Sequence, residues 1–259
     1  MKLWHEVAGE GRPVLLIHEG ICDSRMWESQ WQTFPQVHRT VRCDLRGFGQ
    51  TPLPTEPYSN ARDVVELLDR LELGAAALVG VSLGGRVALE VALARPDLVE
   101  RLVLVGPGLP GHAWSDTVRI YSEQEDAAVA RGDLDAAVEA NLRMWVDGPN
   151  RRPDEVDPSV RSFVGMMQRR ALELQAPVWE EVEEELLVPD VWSRYVELRV
   201  PTLVLVGSED VSDIHAIADR LASGIPGARK VVIAGTAHVP SLERPEEFDR
   251  LVLAFLRAS

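Results

Sequence analysis

A serine set between two glycines is where chemistry is most legible in this chain. Leu78-Val79-Gly80-Val81-Ser82-Leu83-Gly84-Gly85 reads Gly-x-Ser-x-Gly, with an apolar run before it and a helical pattern after. A tight strand-to-helix turn of that kind holds its serine in a strained backbone conformation, with the hydroxyl exposed above a sheet. Glycines two residues to either side let the backbone turn and let neighbouring chain approach closely. A hydroxyl attacks only when a base takes its proton, so a histidine oriented by a carboxylate should follow. Downstream, the apolar run Thr202 to Val206 leads into Gly207-Ser208-Glu209-Asp210, a turn with two acids. Ala234-Gly235-Thr236-Ala237-His238 follows the next apolar run. The chain order serine, acid, histidine then places all three at strand C-terminal ends, the edge where open α/β sheets bind ligands. An oxyanion also needs backbone donors at that edge. Leu15-Leu16-Ile17-His18-Glu19-Gly20-Ile21-Cys22 ends another strand there. The N–H of Leu83, opening the helix after the serine, can converge with that of Gly20 or Ile21. His18 reads as a pin that holds this loop by hydrogen bonding. Cys22 as nucleophile would leave the Ser82 elbow unexplained.

The elements that must position these residues alternate. Short buried-strand runs are predicted at Val14 to Ile17, Val41 to Asp44, Ala76 to Val81 and Leu102 to Val105. Helical patterns lie between them at Asn60 to Leu71, with Asn60 as its cap, and at Leu83 to Ala94, stopped by Arg95-Pro96. Continuous apolar strands alternating with helices mean a mostly parallel sheet with helices on both faces. From Pro107 to Leu198 the pattern is helical only, at Asp116 to Arg131, Leu134 to Trp145, Ser159 to Leu174 and Trp179 to Val188. Glu180, Glu181, Glu183, Glu184 and Glu185 form a charge run on the last of these, read as a solvated helix face. The strand–helix rhythm resumes at Thr202 to Val206, Ile214 to Ala222, Lys230 to Ile233 and Pro245 to Leu256.

Composition narrows the function classes. Against 41 Asp and Glu stand 27 Lys and Arg, a formal charge of −14, which repels phosphate backbones and anionic lipid. Nucleic-acid and membrane partners are therefore not expected, and no apolar run reaches the roughly 18 residues of a membrane span. Two cysteines, Cys22 and Cys43, make neither a disulfide framework nor a four-ligand zinc set. With a Met-Lys-Leu-Trp-His-Glu start that lacks secretory-signal features, a cytoplasmic location is the default expectation. No metal-ligand cluster, phosphate loop or dinucleotide fingerprint is present, so no cofactor is implied. Oligomeric state is not encoded in any pattern of this kind.

From His18-Glu19-Gly20 through Asp44-Leu45-Arg46-Gly47-Phe48-Gly49 to His238, the sequence resembles the α/β-hydrolase superfamily over nearly its whole length. The resemblance implies an α/β-hydrolase fold with core residues 1–106 and 199–259 and a helical cap, 107–198, inserted after the sixth strand. It implies Ser82 as nucleophile, Asp210 as the acid, His238 as the base, and Gly20 and Leu83 as the oxyanion hole. The Asp-x-Arg-Gly-x-Gly segment matches a structural turn after the fourth strand. Glu19 stands where the family commonly has glycine. Within the superfamily the chain is most similar to small bacterial enol-lactonases, esterases and cofactor-free perhydrolases, which implies hydrolysis of a small carboxylic ester or lactone. The same triad also serves lyases and carbon–carbon bond hydrolases, and the fold serves ligand-binding receptors. Gly84-Gly85-Arg86 resembles the menaquinone-pathway synthase of this superfamily. Arg86, one helical turn beyond Ser82, is thus a candidate grip for a substrate carboxylate, or else pairs with Glu19 or Asp44. In the insertion, Trp114, Tyr121, Met144, Trp145, Met166, Met167 and Trp179 could line a pocket, although each reads first as a packing residue; Trp145 is the one singled out as a substrate-binding candidate.

Overall fold

The computed structural model describes residues 2–178 and 182–258. The chain runs β1 (His5–Ala8), β2 (Pro13–Ile17), α1 (Glu28–Thr33), β3 (Arg39–Cys43), α2 (Asn60–Arg70), β4 (Ala76–Val81), α3 (Leu83–Ala94) and β5 (Val99–Val105). A helical stretch follows with α4 (Asp116–Ala130), α5 (Leu134–Asn141), α6 (Pro158–Gln175) and α7 (Val191–Arg194). The chain closes with β6 (Thr202–Gly207), α8 (Ser212–Gly224), β7 (Arg229–Ile233), α9 (Pro240–Glu243) and α10 (Pro245–Arg257).

The strands form one seven-stranded sheet in the order β1-β3-β2-β4-β5-β6-β7. Only β1 runs antiparallel, against β3; every other pair is parallel. Alternate side chains of each central strand enter opposite layers, which is why these runs are apolar without a polar face. Leu15, Ile17, Leu78, Leu102, Leu104, Val204 and Val206 pack with α2, α3 and α8. Leu16, Val79, Val103, Val105, Leu203 and Leu205 pack on the other side with Trp27, Phe34, Phe248 and Val252. Phe248 has no exposed surface, and truncating such a side chain costs about 3–5 kcal/mol. Because β2 leads outward to β3 while β4 leads to β5 on its other side, the strand order reverses between β2 and β4. A crevice opens beyond the C-terminal ends of adjacent strands at such a switch point. Among the described residues no helix is long and apolar enough to cross a membrane.

Several expectations need correction. The helical insertion follows β5, the fifth strand and not the sixth, and the Asp44 to Gly49 turn follows β3, the third and not the fourth. Only β1 and β2 precede β3, which makes both expected counts one too high. The cap of α2 is Ser59, whose hydroxyl accepts from the Arg62 N–H, rather than Asn60. Asn60 is occupied elsewhere: its Oδ1 accepts from the Arg46 N–H and its Nδ2 donates to Glu184. The helix expected to end at Trp145 gives way after Asn141 to a π-helical turn, Leu142–Asp147. Of the helix expected over Trp179 to Val188, Trp179, Glu180 and Glu181 lie outside the described residues, and 182–188 is not helical. Its backbone bonds across to another segment instead, Tyr58 N–H to the Glu183 carbonyl and Glu185 N–H to the Tyr58 carbonyl.

Candidate active site

The elbow between β4 and α3 is forced by close packing. A Cβ on Gly80 would lie 2.2 Å from the Gly84 carbonyl oxygen, so the chain can double back only without a side chain there. Ser82, at the apex, has φ 50° and ψ −108°, a conformation L-residues rarely adopt and one that costs of order 1–3 kcal/mol. Three backbone hydrogen bonds hold it in place. The Ser82 N–H donates to the Val105 carbonyl at 2.9 Å, and its own carbonyl accepts from Arg86 and Gly108 at 3.0 and 3.2 Å. The hydroxyl carries none of this load, and the residue as a whole is half-buried.

Asp210 and His238 arrive from the loops after β6 and β7 and meet with an Nδ1 to Oδ2 distance of 2.7 Å. The other carboxylate oxygen of Asp210 accepts from the Val211 N–H at 2.8 Å, which fixes its orientation. Its neighbour Glu209 turns the other way, toward the Ser208 hydroxyl. With Nδ1 donating to Asp210, Nε2 is left as the basic nitrogen; it is fully buried and has no hydrogen-bond partner. Burial pulls His238 down, yet the charge and hydrogen bond of Asp210, helped by Glu19, hold it above its ordinary value. Gly106 makes room for the pair. At φ 46° it faces both groups, and a Cβ there would lie 3.0 Å from the His238 ring and 3.3 Å from Asp210. Sequence reasoning missed this glycine, whose only signal was a Gly-Pro step ending a strand.

The structure places Trp145 against the histidine. Its ring packs on the imidazole with centroids 4.5 Å apart, and its carbonyl accepts from the His238 N–H at 3.1 Å. The π-helical turn delivers both contacts from one residue. Met144 and Met167 are buried packing residues, Met166 is half-exposed, and Trp114 packs on His112. Trp179 lies outside the described residues.

The loop after β2 closes the other side. His18 accepts from the Leu45 N–H through Nε2, so its ring proton sits on Nδ1 and is donated to the Glu19 carbonyl. Burial holds this imidazole below its ordinary value, with the charge of Asp44 opposing, which suits a neutral ring bridging two loops. Gly20 reaches Leu83, whose Cβ would be 3.8 Å from a Cβ on Gly20. Leu83 opens α3, so its N–H has no acceptor within the helix. Cys22 is fully buried and donates to Glu19 Oε1 at 3.0 Å. Burial pushes its thiol well up, keeping it protonated and inert.

Arg86 requires a correction. Its guanidinium is claimed by Glu90 and Glu184, each at 2.6 Å, and by neither Glu19 nor Asp44. Glu90, with a fully buried side chain, also accepts from the Val188 N–H at 3.2 Å. The expected solvated Glu184 is therefore part of a clamp between α3 and the stretch 182–188. Two carboxylates already neutralise this cation, which leaves it poorly placed to grip a substrate anion. Arg86→Met should strand Glu90 without its counter-charge and destabilise the fold by about 3–5 kcal/mol. Thermal melting should show that loss, while KM for anionic and neutral esters of equal size moves together. A rise in KM confined to anionic substrates would restore the substrate role.

Comparisons with known proteins agree with this architecture. A family profile described as the alpha/beta hydrolase fold matches residues 13–245. The chain is 29% identical to a protein of Rhizobium rhizogenes named carbamate hydrolase RutD, covering 98% of this chain and 97% of that one. It is 27% identical to a Bacillus subtilis protein named 2-succinyl-6-hydroxy-2,4-cyclohexadiene-1-carboxylate synthase, covering 97% and 94%. Among solved structures, Est816, described as an N-acyl homoserine lactone degrading enzyme, superposes with a TM-score of 0.79 at 26% identity, covering 98% of this chain and 96% of that one.

Proposed function

This chain belongs to the alpha/beta hydrolase fold family, and from that premise we propose that it hydrolyses a small carboxylic ester or lactone through an acyl-enzyme on Ser82. The observation that carries the reading is His238, held by Asp210 through Nδ1 and presenting a buried, unpartnered Nε2 as base. In acylation, Nε2 takes the Ser82 proton as Oγ bonds to the carbonyl carbon, and the carbonyl electron pair moves onto oxygen. The backbone N–H groups of Leu83 and of Gly20 stabilise that oxyanion, a single such donor being worth about 3 kcal/mol. Collapse breaks the bond to the leaving oxygen, which takes the proton from His238. Water then repeats the sequence and releases the acid. Residues 1–106 and 199–259 serve as the core, with 107–198 as a cap that brings Trp145 against His238 and clamps to Arg86 through Glu184. Carbamates and lactones, named among the relatives, both present a carbonyl bonded to a departing heteroatom, which suits this sequence of steps. The carbon–carbon alternative leaned on Arg86 as an anion grip, and the Glu90 and Glu184 pairs remove that support.

Fluorophosphonate labelling combined with a panel of short p-nitrophenyl esters and lactones tests the reading. Labelling with turnover is the expected result. Labelling without turnover of any ester or lactone would overturn it in favour of a lyase or a receptor.

A further inference from the structure

Glu19 is a carboxyl group at the reaction centre that the triad mechanism leaves unused. Its side chain is 1% exposed. Oε1 accepts from the Cys22 thiol at 3.0 Å, and Oε2 lies 4.0 Å from His238 Nε2. The titratable groups facing it are Cys22 from its own loop, His238 from the loop after β7 and Asp210 from the turn after β6. Among the described residues no Lys or Arg forms an ion pair with it.

We propose that Glu19 works as a neutral carboxylic acid, donating a hydrogen bond from Oε2 to the leaving-group oxygen that His238 protonates. The proposal rests on the serine hydrolase reading above. Three physical points support it. Oε1 is already an acceptor for Cys22, so the carboxyl proton belongs on Oε2, the oxygen on the His238 side. Two atoms 4.0 Å apart are too distant to bond each other, yet a single oxygen about 2.8 Å from each can bridge them. Charge balance agrees: Asp210 and the forming oxyanion already place two negative charges around one imidazolium, and an ionised Glu19 would add a third beside the departing alkoxide. Burial pushes the Glu19 carboxyl up to about 7, with the His238 charge and the Cys22 hydrogen bond pulling back and Asp210 adding to the rise. A protonated carboxyl used as a donor at neutral pH has precedent in enzyme chemistry.

The pH dependence follows with a definite sign. As pH falls His238 gains a proton, sooner than an ordinary imidazole would because Asp210 holds it above its ordinary value, and the base is lost. Above about 7 Glu19 loses its proton, so the donor becomes a repelling anion that also favours the imidazolium form of His238. Activity toward poor leaving groups should therefore fall about tenfold per pH unit on the alkaline side, above about 7.

The experiment compares wild type, Glu19→Gln and Glu19→Ala on an alkyl ester and a p-nitrophenyl ester of the same acid, from about pH 5 to about pH 9. Glu19→Gln, an amide donor that cannot ionise, should keep activity on the alkaline side where wild type declines. Glu19→Ala should lose roughly 100-fold on the alkyl ester and much less on the p-nitrophenyl ester, whose leaving group needs little help. An alkaline decline that persists in Glu19→Gln, its absence from wild type, or equal losses on both esters would overturn the proposal. Failure of wild type to react with a fluorophosphonate would instead sink the serine hydrolase reading itself. Melting gives a check that needs no turnover. A carboxyl raised from 4.5 to about 7 contributes stability that is full below 4.5 and lost as pH climbs through 7, so Glu19→Gln should flatten that decline. A wild-type melting profile identical to that of Glu19→Gln overturns the neutral-acid assignment.

Discussion

Ser82→Ala protein should give no fluorophosphonate adduct and essentially no ester hydrolysis, while melting at the wild-type temperature. The two halves of that expectation have separate origins. The fold invests in the Ser82 backbone: its N–H and carbonyl make three hydrogen bonds, and Gly80 clears the turn. None of these involves the hydroxyl, so removing one oxygen at a half-buried site should change stability by no more than about 0.5 kcal/mol. Chemistry depends on that oxygen alone. Without it no acyl-enzyme forms, and what remains is the roughly 10³–10⁴-fold enhancement over water that binding and oxyanion donors can provide by themselves. Wild-type turnover by a purified, folded Ser82→Ala sample would remove Ser82 from the mechanism.

Asp210→Asn should lower kcat about 10⁴-fold, and Glu209→Gln should have a mild effect. An asparagine can keep the shape of the contact, but its amide can donate to Nδ1, which favours the tautomer carrying the proton on Nε2. That tautomer has no lone pair to offer Ser82. The lost charge matters as well, since Asp210 opposes burial in holding His238 above its ordinary value. Residual activity in Asp210→Asn should accordingly show its acid limb moved to lower pH. Glu209 hydrogen-bonds Ser208 and makes no contact of this kind with the histidine. Kinetics over pH for the two variants check the assignment, and the reverse ranking would place the working acid one residue earlier.

The parts of this molecule that were legible in sequence are those decided by local chemistry. Val14 to Ile17, Ala76 to Val81 and Thr202 to Val206 read as buried parallel strands because both of their faces are covered, leaving no polar alternation to keep. The elbow was legible for a similar reason: the residue types Gly80, Ser82 and Gly84 answer to backbone geometry within five positions. His238 could be chosen from six histidines because it follows a strand end. Strand β1 was not foreseen, since His5–Ala8 is short and only partly buried at a sheet edge.

What tertiary structure decided is how polar groups distant in sequence are paired. Glu184 sits in an acidic run that reads as a solvated face, yet 98 residues separate it from the Arg86 guanidinium it neutralises. Charge patterning along a chain carries no information about a cation brought alongside from another element. The residues alone also leave Glu209 and Asp210 open, since they share a turn; the resemblance favours Asp210, and it is the one the histidine loop reaches. The same holds for Trp145, aromatic and apolar in sequence whether it fills a core or stacks on His238. Glu19 is the sharpest case. From sequence alone it is a substitution at a glycine position. Only the approach of Cys22 and His238 in a water-excluded crevice, where an unpaired charge is costly, makes its protonation state a property of the site.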